Sequence, residues 1–375
     1  MIHTATSPST GIGSRRSRYA VALPQRRACS CILALVVPLL LGARWVHAQS
    51  TSAEKLPSRF QYEQIQMGVT FRIVLYSDDE NAANEAAAAA FARITQLNDL
   101  LSDYDPDSEL SRLSATAGSG QAVPVSDDLW HVLNAAQHLS ARSDGAFDVT
   151  IGQVVRLWRR ARRQQARPSD ERLEQALATA GHEHLLLDES QRTALLGRAN
   201  MRLDLGGIAK GYAADEALRV LAAHSLTRAM VDGGGDLSIG DPPPDERGWR
   251  VAVAPARENV EPSHILAVSH CGVATSGDVY QFVEIDGERY SHIVDPRTAL
   301  GLTTPMSVTV VAADGMTADS LASAVCVLGP ERGIALVEDT DDAAALYAYR
   351  SGDSFEAVVS QRFPSLLATA CATAE

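Results

Sequence analysis

The stretch LDLGGIAKGYAADEA, residues 203–217, holds the residue types best suited to chemistry on an anion. An apolar strand reaches Asp204, breaks at Gly206-Gly207, and restarts as a helix with Lys210 in its first turn. A helix start offers free N–H donors and the positive end of its dipole, which favours phosphate. A lysine there adds a mobile point charge. The chain has only one other, Lys55, against thirty-one arginines. Neither standard phosphate loop fits, because Lys210 precedes Gly211 and the glycine spacing departs from GxGxxG. The plainer reading of this stretch alone is a strand-to-helix turn with an incidental lysine.

MTADSLASAVCVLG offers a second candidate. With Thr317 as N-cap, Asp319 falls in the first turn and Ser323 four residues on, so both share one helical face. One carboxylate and one hydroxyl, completed by carbonyl and phosphate oxygens, suit magnesium serving a nucleotide. The plain alternative is an aspartate that complements the helix dipole beside an incidental serine. In RYSHIVDPRT, His292 ends a strand three residues before Asp295-Pro296. It is either a turn histidine or, beside a phosphate site, a general base. GVATSGD and VDGGGDLSIG are turns where a ligand can approach the backbone closely.

These residues need elements to position them. FQYEQIQMGVTFRIVLYS alternates as one or two strands. DDENAANEAAAAAFARITQLNDLLS is an amphipathic helix with Phe91, Ile94, Leu97 and Leu101 on one face. SDYDPDSELSRL reads as a loop, and a helix follows near 126–142. RLWRRARRQQARP is a basic run, read as a solvated helix face. Strands near 184–188 and 193–196 precede the lysine stretch, and further strands follow in consecutive hairpins. TADSLASAVCVLGPERGIALVED gives two helices across a Gly-Pro break. Hairpin strands with interspersed helices indicate an α+β fold rather than a regular βαβ wind.

Residues 1–48 read as a signal peptide, with a basic start, an apolar run too short to span a bilayer comfortably, and a cleavage site after Ala48. An uncleaved anchor is the alternative, and both Sec and twin-arginine export stay open. Losing this segment removes six arginines and no acid, taking the net charge from −13 to −19. Such acidity argues against a nucleic-acid partner. Residues 49–60 form a linker, 61–368 the catalytic domain and 369–375 a tail. About 327 mature residues exceed a usual single core, which suggests two lobes. Of the mature cysteines Cys271, Cys326 and Cys371, Cys326 reads as a core residue, and the three lack metal spacing.

In order, MGVTFRI, SDYDPDSELSRL, DGAFDVTIG, LDLGGIAKGYAAD, VDGGGDLSIG, VATSGD, YSHIVDPRT and TADSLAS resemble the ApbE-type FAD:protein FMN transferases. The resemblance runs from about Met67 to about Gly329. It implies an α+β, T-fold-related single catalytic domain of mixed, mainly antiparallel sheets with flanking helices. It further implies an exported, magnesium-dependent enzyme of the periplasm, in peripheral contact with the inner membrane. Such an enzyme attaches FMN from FAD through a phosphoester to a threonine or serine of a membrane redox subunit and releases AMP.

By this resemblance Asp204 and Lys210 contact FAD, and Gly207 offers magnesium its carbonyl oxygen beside Asp319 and Ser323. Met67, Tyr104, the turn Ala146-Phe147-Asp148, and Val294 match flavin- or adenine-contacting positions, and His292 matches the base. The chain departs from the family pattern in several places. DPRTAL replaces DPRTG, MGV replaces MGT, and Ser323 replaces a threonine. Ala322 stands where some members place a further metal ligand, and no lipid-attachment cysteine ends the apolar run. Two rival functions share these residues: a magnesium-dependent FAD pyrophosphatase, and a periplasmic FAD-binding protein without catalysis.

Overall fold

Alternating apolar residues in SRFQYEQIQ and VTFRIVLYS build β1 (Ser58–Gln66) and β2 (Val69–Ser77), an antiparallel hairpin. Its turn is Met67-Gly68, both at positive φ (49° and 76°), the two-residue geometry that matches strand twist. The computed structural model describes residues 56–255, 262, 264–279 and 281–368. The signal-peptide and tail segments therefore lie outside the described residues. β1 starts at Ser58, inside the stretch expected to be linker.

Asp79 caps α1 (Glu80–Leu101) by accepting from the N–H groups of Asn81 and Ala82. Ile94, Leu97 and Leu101 are buried along it as the spacing predicts, while Phe91 lies at the margin of that face. The expected loop at 102–113 is helical in its second half. Ser108 accepts from Ser111 N–H and opens α2 (Glu109–Ala115), a cap that the run of turn residues concealed. β3 (Val123–Pro124), α3 (Asp127–Arg142), α4 (Gly152–Gln164) and α5 (Asp170–Leu177) follow. Next come β4 (Leu185–Asp188), β5 (Thr193–Leu196), α6 (Ala209–Ala223), β6 (Ala229–Gly233) and β7 (Asp236–Ile239). The ribbon β8 (Trp249–Ala252) and β9 (Ile265–Val268) leads to β10 (Cys271–Gly277). Two small hairpins come after it: β11 (Phe282–Ile285) with β12 (Glu288–Ser291), then β13 (Val294–Asp295) with β14 (Leu300–Gly301). The chain ends with β15 (Met306–Ala312), α7 (Gly315–Glu338), β16 (Ala344–Ser351) and β17 (Ser354–Val359).

One eight-stranded sheet organises these elements, in the order β1-β2-β6-β7-β10-β15-β16-β17. Every pairing between named strands is antiparallel among the described residues. Phe71, Ile73 and Leu75 of β2 join the core under α1, α6 and α7, whereas Val74 joins a second cluster under β8 and β9. β15 (MSVTVVA) is buried on both faces, and it encloses Ser307 and Thr309 among its apolar residues. A third cluster packs α4 and α5 against β11 to β14. Length suggests two lobes, but Glu54–Glu375 close as one compact unit with this divided interior.

α7 is long and apolar enough to cross a membrane by length and composition, yet it packs on β10 and β15 and is half buried inside the fold. The Gly-Pro break appears within it as Gly329 (φ 78°) before Pro330. Its N-cap is Asp314, three residues before the expected Thr317. Asp314 accepts from Thr317 N–H.

Candidate functional site

The site grows from the crossing of α6 and α7 near their starts. A Cβ on Gly211 would lie 2.1 Å from the Gly315 carbonyl oxygen, so only glycine permits this approach. α6 has Ile208 as its N-cap and no side-chain cap of its own. Its Gly211 N–H instead donates to Asp319 Oδ2 on α7, at 3.1 Å. Reciprocally, Asp215 on α6 accepts from Gly315 N–H at 2.7 Å and Met316 N–H at 2.8 Å, where α7 begins. Burial pushes the Asp215 carboxyl up to about 6 against the pull of these bonds and of Ser238.

Lys210 is not incidental. Its ammonium pairs with Asp236, at the end of the triple-glycine turn, and lies 3.7 Å from Asp319 Oδ2. Burial opposes its charge, but Asp319 and Asp236 outweigh burial and hold its pKa above the ordinary lysine value. Asp236, 4 % exposed, is raised by burial and by the neighbouring Asp319 charge, with Lys210 opposing.

Gly207 lies beside this group. A Cβ there would sit 3.0 Å from Ser323 Oγ and 3.3 Å from the Phe147 ring, so a larger residue would fill the space next to the serine. The Gly207 backbone, the Ser323 hydroxyl and Asp319 thus supply a hard, all-oxygen donor set that fits magnesium with few protein ligands. No group of three or more His, Cys, Asp or Glu arranged to hold a metal occurs among the described residues.

Asp204 is occupied from two sides. Gly206 N–H donates to Oδ1 at 2.9 Å and Arg159 to Oδ2 at 2.7 Å. Burial raises its pKa, Arg159 opposes the rise, and Asp103 adds to it. Arg159 also pairs with Asp103 and lies 4.4 Å from the ring centre of Tyr104. Tyr104 is 75 % exposed, with the Arg159 guanidinium over its ring. Asp148 has both oxygens engaged, by Thr150 and by His182 N–H, and its pKa is raised by burial. In the same turn Ala146 and Phe147 are buried, and Phe147 N–H donates to Ser143 Oγ.

Met67 sits in the β1–β2 turn, partly buried against the core, two residues before Val69. Gly234, two residues before Asp236, stands so close to Val69 that a Cβ would lie 2.9 Å from the valine Cβ. His292 N–H and Nδ1 both address the Gln281 carbonyl, at 3.0 and 3.1 Å. A carbonyl only accepts, so the neutral ring carries its proton on Nδ1 and leaves Nε2 as the base. Burial pushes the His292 pKa down to about 4, and the Arg162 and Lys210 charges act in the same direction. Val294 is buried in the third cluster and pairs with Gly301. Ala299, where the family pattern has glycine, adopts φ 60° and accepts from Trp158 Nε1 at 2.8 Å.

Sequence reasoning missed Asp236, Asp215, Asp103 and Arg159. Asp236 directly follows the glycine triplet, the one local signal available. The others are ordinary charged residues until the fold gives them partners.

The ApbE family model matches residues 67–347. The chain is 34% identical over 302 residues to the FAD:protein FMN transferase of Treponema pallidum, covering 76% of this chain and 83% of that one. It is 32% identical to the FAD:protein FMN transferase of Vibrio cholerae, covering 80% and 90%. The crystal structure of Pseudomonas stutzeri flavinyl transferase ApbE in its apo form superposes with a TM-score of 0.74 at 31% identity. That match covers 84% of this chain and 98% of the other.

Proposed function

The chain belongs to the ApbE family, and from that premise we propose that it transfers FMN from FAD to a threonine or serine hydroxyl of a membrane redox subunit, with magnesium, releasing AMP. The observation that carries this reading is the meeting of Gly207, Ser323, Asp319 and Lys210 where α6 crosses α7.

A magnesium ion held by Asp319, Ser323 and the Gly207 carbonyl would supply positive charge to the diphosphate oxygens. Lys210 keeps the Asp236–Asp319 pair from repelling the substrate. Tyr104 and the Ala146–Asp148 turn bind the flavin end, together with Met67, Asp204 and Val294. His292 Nε2 takes the proton from the acceptor hydroxyl as its oxygen bonds to the FMN-side phosphorus. The bond from that phosphorus to the bridging oxygen breaks, and AMP leaves. The segment 1–48 would deliver the mature chain, beginning at Gln49, to the periplasm beside the inner membrane. N-terminal sequencing that found residues 28–42 retained would indicate an anchored form instead.

The deciding experiment incubates the protein with FAD, magnesium and a threonine-bearing redox-subunit fragment, then weighs the fragment and assays AMP. One added FMN mass, with AMP, supports the transferase. FMN and AMP with several unmodified acceptors would make the chain a hydrolase, and no AMP would make it a binder.

A further inference from the structure

The basic run of α4 does not lie wholly in solvent. Trp158 donates to the Ala299 carbonyl and packs against Tyr290 in a tilted arrangement with ring centres 4.9 Å apart, tying α4 to the hairpins on either side of His292. Arg162 follows Trp158 by four residues and so lies one turn along the same face. Arg156, Arg160 and Arg163 are exposed, whereas Arg162 is half buried. Among the described residues its guanidinium has no hydrogen-bonded or ion-paired acceptor.

The other cations near the site have acceptors, although Arg202, which donates to the Asp103 carbonyl, leaves its buried Nε without one. Lys210 faces Asp236 and Asp319, and Arg159 faces Asp103 and Asp204. A partly buried cation without an acceptor is costly, which marks the position as one where an anion completes it. A guanidinium suits that role, being weakly hydrated and shaped for two phosphate oxygens at once.

We propose that Arg162 is a phosphate-binding residue of the FAD site, its guanidinium pairing with the diphosphate oxygens. The proposal rests on the reading that FAD is the substrate. The competing role is charge complement to the C-terminal end of α4, which the exposed Arg163 already provides.

Arg162→Gln and Arg162→Lys, made in the full chain, test this by titration with FAD and with riboflavin, which has no phosphate, alongside melting temperatures. Arg162→Gln should weaken FAD binding by about tenfold or more, leave riboflavin binding unchanged, and make FAD binding less sensitive to salt. Arg162→Lys should fall between it and the wild type, and it carries the test if the glutamine variant does not fold. Unchanged FAD affinity, or equal losses for FAD and riboflavin, overturns the proposal. A wild type that shows this pattern but transfers no FMN sinks the functional reading and keeps the arginine assignment. A wild type that binds no FAD overturns both.

Discussion

Asp215 and Asp319 each cap the other's helix. Asp215, on α6, accepts from the first N–H groups of α7, and Asp319, on α7, accepts from Gly211 N–H in the first turn of α6. Gly211 and Gly315 let the backbones close, and the two carboxylates then supply acceptors to α6, which has no side-chain cap, and to the α7 N–H groups that Asp314 does not reach. One arrangement therefore fixes the crossing and aims the residues assigned to substrate and metal.

Asp215→Ala should destabilise the protein by about 1–3 kcal/mol, since two buried N–H groups and the Ser238 hydroxyl lose their acceptor. Transfer should fall further than stability alone explains, because Asp319 lies one turn beyond the frayed start. Urea denaturation beside a rate assay measures both. Unchanged stability would mean that Asp314 suffices to hold α7.

Asp319→Ala should lower transfer by roughly a thousandfold or more, the scale expected when a phosphoryl transfer loses its metal clamp. The fold should persist with a modest cost from the lost cap. A variant with the wild-type dependence on magnesium concentration would end the metal assignment.

Lys210→Ala should cost stability as well as FAD affinity, in contrast to an exposed helix-start lysine. Removing one partner of a buried ion pair costs about 3–5 kcal/mol, because the remaining carboxylates are left uncompensated. Lys210→Ala combined with Asp236→Ala should recover part of that loss. A strictly additive double-mutant cycle would show that the pair is not coupled.

The hairpins, the capped α1 and the kink at Gly329-Pro330 were legible because each rests on local chemistry. The α7 start was not, since Asp314 and Thr317 are both good caps and only the approach of Gly211 and Asp215 selects the earlier one. Lys210 stands out in the sequence, but its carboxylate partners are 26 and 109 residues away and become neighbours only through β7 and α7. In sequence Arg159 and Arg162 belong to a basic run with the pattern of a solvated face, and only the third cluster shows Trp158 anchoring that helix to Ala299.

His292→Ala should lower transfer about 10²–10⁴-fold while FAD still binds, as expected for loss of a general base. The wild-type pH profile separates this role from a structural one. An unperturbed histidine would lose its base form near 6.5. Burial lowers the His292 pKa to about 4, so the free enzyme's rate should hold down to about pH 5 and fall as pH drops through 4. The stability effect has the same sign. Because the folded pKa lies below the unfolded one, the unfolded chain binds the proton first, and stability present above 6.5 is lost as pH falls through about 4. His292→Ala should therefore lose both the acid limb of the rate and part of the acid loss of stability. If His292 serves only to hold the Gln281 carbonyl, the variant should melt lower, bind FAD less well, and keep the wild-type profile. A normally folded, normally binding variant with an undiminished rate would remove His292 from the mechanism.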